Sequence, residues 1–565
     1  FGAIASALVF TYSGTMVTYT NNAPMIQVAA LLPWVMWSLV RFLKRRTMRS
    51  YISLIFLLAF QIISGHPQLT FYTWILLYGY VFFVHEGALT RNVTIILLVS
   101  LGSFVLASMQ ILPFLELVSH STRARSFSFA SFGSLHPFSL FRLFVPSITG
   151  SLRGGTDWIA GGSVHGYVGV LPWILVFFAP RNTRVARYFL GVLVISLLLV
   201  MGSNTPLFWI AYELVPGIGR FRVPAHFFLL STLSLSVLSG YGIQALCNKN
   251  LAPGTLKRTS AYLGGAALIA YMAVWTVSQD VGKIIFIPFL PERLQQKIVA
   301  LSVSPGLFDQ IMDDLRTNFL FLAVFLAGIA YVFGSRRLSK KTAVGVLVGC
   351  IFVELFFYSS RGLLTMTAAF AERILRKSQS TAELFHQIDP ITEHIMVDPA
   401  LYSLPPTMTL EGQGPRQFRD AMWQAEILRP NLNMIYHIPS VEGYASLILS
   451  EYQEYFGLKP QDPTGVTLPA FPSDQLNRLG VKYLLGKNNN QESSLRLIGR
   501  DYRKAFYENL GADASPVEVN EESELTFRST PLSVLIGLGI SIAGVLLSAM
   551  LSLRNRGQTL IIPKV

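Results

Sequence analysis

The chain has 565 residues, of which 52% are hydrophobic and only 13% charged, with a mean hydropathy of +0.48. That balance is too apolar for a soluble multidomain protein and places the chain among integral membrane proteins. Its formal charge of +14 would point to nucleic acid in a soluble protein, but here the distribution along the chain explains it otherwise.

Uncharged runs recur at lengths close to the roughly 20 residues that a helix needs to cross about 30 Å of hydrocarbon. Twelve spans are expected: 1–11, 24–40, 50–64, 69–84, 93–115, 166–180, 188–202, 225–246, 259–279, 318–334, 342–359 and 532–553. Several are short, so tilt or re-entrant geometry is allowed. The fold class expected is mainly α, a polytopic transmembrane helical bundle carrying an extracytoplasmic α/β domain near its C-terminal end. If the connections alternate sides, one side collects nineteen Lys and Arg, from Arg41, Lys44, Arg45 and Arg46 to Lys564, against a single acid, Glu86. The other side is left with a small acidic excess. The positive-inside rule puts the basic set in the cytoplasm, so the charge reports topology and nucleic acid is not an expected partner.

In chain order, the run 1–11 opens without Met or a charged leader and reads as the tail of an outward span in an N-terminally truncated fragment. TYSGTMVTYTNNAP reads as an uncharged outer loop, and RFLKRRTMRS as the strongest cytoplasmic anchor. In the turn GHPQ, Gly65 and Pro67 interrupt the helix and leave His66 and Gln68 at or just below the outer face. The stretch from Leu112 to Val170 is too long for a plain connection and too rich in Phe, Trp and Gly for disorder. It carries Glu116, His120, Arg123, Arg125, His136, Arg142, Arg153, Asp157 and His165, and residues 116–165 read as a folded cap over an outward-facing cavity.

A second outer connection, NTPLFWIAYELVPGIGRFRVPAH, holds Arg220 and Arg222 just before the next span. Segment 280–317 reads as one or two short surface helices ending near Asp309, Asp313 and Asp314. Residues 1–360 are thus expected as the helical region and 361–530 as a mixed α/β domain of about 170 residues, large enough for its own core. Within that domain AERILRKSQSTAELFHQI and SLILSEYQEYFG read as helices, EHIMVD as a strand, QLNRLGVKYLLG as a helix running into a strand, and VEVNEESELTF as alternating strand. Residues 531–565 supply the last span and a basic tail. Cys247 and Cys350 cannot build a disulfide framework and read as packing residues.

Ionisable groups inside apolar spans are costly and face a cavity or a partner. Glu116 and Glu354 qualify. Glu354 reads first as a carboxylate reaching the interface or accepting a hydrogen bond between helices, whereas Glu116, beside the cap, divides evenly between a structural and a functional role. Arg123 with Arg125, and Arg220 with Arg222, form two pairs on the side where few cations are expected, and arginine forks suit phosphate. The alternative is attraction to lipid headgroups. Asp157 and His165 lie in RGGTDWIAGGSVHGYVG, where backbone could approach a sugar or phosphate, although glycines also mark ordinary turns. No Walker loop, GxGxxG after a strand, HExxH, CxxC pair or GxSxG elbow is present.

The stretches GHPQLTFYT, PFLELVSHSTRA, GYVGVLPWI, MGSNTPLFWIAYELVPGIGRFRVPAHF, PNLNMIYHIPSVEGYASL and LGVKYLL together resemble the bacterial YfhO family of multispan membrane proteins, which is similar to the C-type (GT-C) glycosyltransferases. The resemblance implies transfer of a sugar from a polyprenyl-phosphate carrier to a cell-envelope glycan or polymer outside the membrane, with membrane lipids as surroundings. It implies site residues His66, Gln68, Glu116, Arg123, Arg220 and Arg222, the arginines on the carrier phosphate and Glu116 and His66 orienting hydroxyls. The principal acid of such enzymes, a base or a metal ligand in the first outer loop, would lie upstream of Phe1. No cofactor is fixed by the resemblance, though a divalent metal is compatible with it. His226 departs from the family's RVPAR, so no phosphate-binding cation is implied there. The competing expectations are a lipid or glycan transporter, which would place paired acids and bases near mid-membrane, and a non-catalytic envelope-assembly scaffold.

Overall fold

The structure is a computed structural model that describes residues 1–20, 22–119, 126–146, 166–248, 253–278, 307–334, 339–362, 394–397, 481–486, 495–500, 505–509 and 532–554. It divides into two compact units, one of Phe1–Pro113, Arg125–Leu364 and Leu532–Val565, the other of Phe114–Ala124 and Thr365–Pro531.

The first unit is helical. Its elements are α1 (Gly2–Thr11), α2 (Gly14–Tyr19), α3 (Ala23–Arg45), α4 (Met48–Ile63), α5 (Pro67–Phe83), α6 (Leu89–Leu106) and the start of α7 (Ser108–Ser119), then α8 (Phe127–Ala130), α9 (Val170–Val176), α10 (Arg184–Val200) and α11 (Pro206–Leu214). Four long helices complete it: α12 (Phe228–Asn248), α13 (Pro253–Ser278), α14 (Leu307–Gly334) and α15 (Lys340–Gly362), with α16 (Leu532–Arg554) added from the far end of the chain.

Among the described residues, six helical segments are long and apolar enough to cross a membrane: α3, α6, Pro224–Asn248, and the apolar parts of α14, α15 and α16. Large side chains such as Trp34, Phe60, Leu101 and Met550 remain exposed on these helices and on α4, as expected where lipid replaces water. The other expected spans differ for local reasons. The run 93–115 is broken at Ala107 into α6 and α7, because Ser541 of α16 enters there: its Oγ accepts Met109 N–H at 3.0 Å, while Ser108 Oγ donates to Gly537 O at 2.8 Å. The run 166–180 contributes only the seven-residue α9, residues 166–169 before it having no regular structure and Gly169 lying at φ +88°. TYSGTMVTY is not a loop, since Ser13 caps α2 by accepting Met16 N–H at 3.3 Å. The connection before α12 holds a further helix, α11. Asp309, Asp313 and Asp314 lie in the first turns of α14, which continues from them without a break, and Asp313 pairs with Arg316.

The hub is α12, where 83% of the apolar segment is buried against 22% in α16. It is small-residue rich, so neighbours come close and hydrogen-bond across. Ser6 of α1 donates to Ser236 O at 2.7 Å, Thr15 and Thr232 hydroxyls meet at 2.9 Å, and Ser196 of α10 meets Ser231 at 2.8 Å. At the α1 crossing, a Cβ on Gly2 would lie 2.6 Å from Gly240 O. Cys247 and Cys350 are free and pack against the core.

In the second unit, the described residues beyond the end of α7 form one four-stranded sheet in the order β1-β2-β4-β3. Its strands are β1 (His394–Val397), β2 (Val481–Gly486), β3 (Leu495–Arg500) and β4 (Ala505–Asn509). β1 runs parallel to β2, and β4 is antiparallel to both β2 and β3. The expected strands EHIMVD and VKYLLG are β1 and β2, whereas β3 and β4 were not anticipated. The helices expected around 371–388 and 446–457, and the strand VEVNEESELTF, lie outside the described residues.

Candidate functional site

His66 is the N-cap of α5, its Nδ1 accepting Leu69 N–H at 3.3 Å, with Gly65 at φ +86° making the turn and Pro67 opening the helix. A neutral ring bonded this way carries its proton on Nε2. Burial holds the His66 imidazole down at about 4, so near neutral pH it is a hydrogen-bond donor without charge. Its ring packs edge-on to His226 with centroids 5.9 Å apart, and the Tyr19 hydroxyl lies 3.4 Å from His226 Nδ1. Gln68 is buried; its amide donates to Arg222 O at 2.7 Å and to Tyr72 Oη at 2.8 Å, while Tyr72 stacks on Phe227 at 3.9 Å.

Thus the α4–α5 turn is bound to the segment just before α12. That segment is also held from the cap: Val223 N–H donates to Phe132 O at 2.9 Å, and the Arg222 guanidinium lies over the Phe132 ring at 6.0 Å. Val223 has φ +62°, a costly conformation for a β-branched residue. Such outliers persist only where surroundings over-determine them, often at functional positions. Further along the cap, Leu135 N–H donates to Val200 O at 3.2 Å and Asn204 to Leu135 O at 3.1 Å. The described part of the cap is therefore folded and stitched to the ends of α10 and α12.

The structure brings His66, Gln68 and Arg222 together, and adds His226 and Tyr19, which sequence reasoning passed over. Arg220 sits two residues from Arg222 and is exposed. Glu116 is exposed in the last turns of α7, within the second unit, and is described by itself; Ser119 Oγ donates to its carbonyl at 2.7 Å. His136 is exposed, its Nδ1 accepting Phe138 N–H at 3.2 Å, and Arg142 is buried. His120, Arg123, Arg125, Arg153, Asp157 and His165 lie outside the described residues.

Glu354 is fully buried and its carboxylate is saturated: it accepts Tyr167 O–H at 2.9 Å, Val170 N–H at 2.6 Å and Leu171 N–H at 3.3 Å. It is the interhelical acceptor expected first, and it anchors the start of α9 to α15. Among the described residues no three His, Cys, Asp or Glu side chains come together to hold a metal ion. The His66 cluster offers two imidazoles and no carboxylate, too few donors to hold a metal by itself.

These features define a largely helical chain with the apolar spans of an integral membrane protein and a polar cluster where several helices end. Compared with protein-family models, with curated proteins and with solved structures, the chain finds no match in any of the three.

Proposed function

We propose that the chain is a membrane glycosyltransferase similar to the YfhO and C-type families, moving a sugar from a polyprenyl-phosphate carrier to a cell-envelope acceptor. In this reading twelve segments cross the bacterial cytoplasmic membrane, the C-terminal tail is cytoplasmic, and the 361–530 α/β domain lies outside together with the His66 cluster. The observation that carries it is the convergence of His66, Gln68, Arg222, His226 and Tyr19 where α2, α5 and α12 meet. Following the chain's alternation, that end is opposite to the basic turns.

The chemistry asked of these groups is electrostatic. An acceptor hydroxyl oxygen bonds to the sugar C1 as the bond from C1 to the carrier phosphate breaks, and the phosphate leaves with the electron pair. Arg222, with Arg220 two residues away, stabilises that growing negative charge. His66 donates through Nε2 to a sugar oxygen and Gln68 fixes the arginine-bearing segment, while Glu116, taken by itself, is a second candidate for orienting a hydroxyl. The hydroxyl proton leaves with the departing carrier phosphate, so the step balances.

Membranes holding the full-length protein, given polyprenyl-phosphate-linked radiolabelled sugar, should transfer label to envelope acceptor. Arg222→Ala should lower the rate about a hundredfold, and Glu116→Ala should lower it as well. Unchanged rates in both variants would remove the site assignment. No transfer, together with protein-dependent passage of labelled lipid across vesicles, would favour a transporter, and neither activity a scaffold.

A further inference from the structure

Two short elements of the first unit wear their apolar side chains outward. The cap's 3₁₀ helix Pro137–Leu143 has about three residues per turn, so Phe138, Phe141 and Phe144 fall along one ridge. They are 40%, 52% and 38% exposed, and the Phe138 and Phe141 rings pack at 5.3 Å along the ridge. Ser139, Arg142 and Leu143, between them, are buried. α11 repeats the pattern: Phe208 and Ala211 are buried, while Trp209, Ile210 and Leu214 are 55%, 42% and 74% exposed. An arginine turned inward with phenyl rings turned outward is the reverse of what water selects.

Both elements are pinned to the ends of longer helices. The 3₁₀ helix is entered from Leu135, whose N–H donates to Val200 O at the end of α10 at 3.2 Å, and α11 follows from the same place, where the Asn204 amide donates to Leu135 O at 3.1 Å. The 3₁₀ helix is left at Val145, which packs with Leu315 among Val274, Met312 and Phe319, near the end of α13 and the start of α14. Phe144 also meets the Trp173 ring of α9 at 5.4 Å. The ridge therefore continues the apolar surface of its neighbours, where Ile195 and Leu198 of α10 are exposed. With seven and nine residues, neither element can cross about 30 Å of hydrocarbon. In water, six such side chains would form a patch that soluble surfaces avoid. Glu213 is exposed one turn from Trp209 on α11, a pairing that suits the membrane boundary, where aromatic rings gather and a carboxylate keeps water.

We propose that the 3₁₀ helix and α11 lie in the headgroup–acyl boundary of the leaflet at the His66 end, with the Phe138–Phe141–Phe144 ridge and the Trp209–Ile210–Leu214 face immersed. What covers both faces is the glycerol and upper acyl region of membrane phospholipid, at a depth of about 5–10 Å. Phe132, over which the Arg222 guanidinium lies, belongs to the same cap, so the immersed ridge holds Arg222 near headgroup depth, within reach of a lipid-borne phosphate. Only that last consequence rests on the transferase reading; the immersion stands or falls without it.

The test uses the full chain with Cys247→Ser and Cys350→Ala, reconstituted into vesicles of phosphatidylethanolamine and phosphatidylglycerol. One nitroxide at a time is placed on Phe141→Cys, Leu214→Cys, Ile195→Cys or Thr20→Cys. Electron paramagnetic resonance then reads collisions with oxygen, which dissolves in lipid, and with a water-soluble nickel chelate. The 141 and 214 reporters should meet oxygen as freely as the 195 reporter, and the chelate several-fold less than the reporter at 20. Chelate collisions equal to those at 20 would put the faces in water and overturn the proposal. Loss of both kinds of collision would show protein over them and overturn it equally. A label-free check uses the conservative Trp209→Phe, which should remove more of the tryptophan quenching by lipids brominated near the headgroup end of the acyl chain than by lipids brominated near its methyl end. Equal losses would overturn the placement of α11.

Discussion

His66 serves the fold and the proposed site with one ring, since Nδ1 closes the first turn of α5 and Nε2–H is left for a ligand. Burial makes the folded chain refuse a proton until about pH 4, while the unfolded chain accepts one near 6.5. The stability this neutral ring contributes is therefore full above pH 6.5, is lost as pH falls through the window to 4, and amounts to on the order of 3 kcal/mol. His66→Asn keeps a good N-cap acceptor and removes the titration. Its unfolding temperature should fall less between pH 6.5 and 4 than that of the parent protein, and an equally steep fall in both would sink this account. The turn itself was legible from Gly65 and Pro67, which punctuate the chain wherever they stand. The company His66 keeps was not: His226 reaches it from 160 residues away in the chain, in contact in turn with Tyr19 from 47 residues on the other side, and no local pattern encodes such a meeting. His226 was set aside because it carries no permanent charge, yet its ring is what packs against His66.

At the scale of elements, close approach decides what hydropathy cannot. Gly240 of α12 faces Gly2 of α1 so tightly that a Cβ on it would lie 2.8 Å from Gly2 O, whereas one on Gly265 of α13 would meet nothing within 4 Å. Replacing glycine by alanine in a helix gains up to about 1 kcal/mol where space allows, and overpacking costs about 1–3 kcal/mol where it does not. Gly265→Ala should thus raise the unfolding temperature and Gly240→Ala lower it; shifts of the same sign would show that the α1–α12 crossing is looser than described. The same reasoning explains which elements could be read in advance. Long apolar runs announced α3, α12, α14, α15 and α16 through composition alone. The break at Ala107 was hidden because Ser541, which fills it, is more than 400 residues away, and the short α9 was hidden because Glu354, its anchor, lies on α15. β1 and β2 were legible as compact β-branched and apolar runs, whereas LRLIGR and AFYEN carry charge and glycine and find their sheet only through pairing.

For the whole molecule, orientation is the premise on which the proposed chemistry stands. In the twelve-span reading proposed above, nineteen Lys and Arg fall on one set of turns, and from such a distribution the positive-inside rule would assign a side. In that reading the His66 cluster belongs to the opposite set, where the proposed lipid-linked sugar outside the cell would be met. Two native cysteines make this directly measurable: in a Cys247→Ser, Cys350→Ala background, single reporters can be placed at exposed positions on each end, Thr20→Cys beside α2 and Lys44→Cys at the end of α3. In intact cells a membrane-impermeant maleimide should label the Thr20 reporter and reach the Lys44 reporter only after permeabilisation. The reverse pattern would put the cluster in the cytoplasm, where an outward-facing transferase could not work, and would leave the helical packing untouched. That asymmetry matters because the helices are held by contacts indifferent to which side is out, while the chemistry proposed for Arg222 and His66 needs one side only.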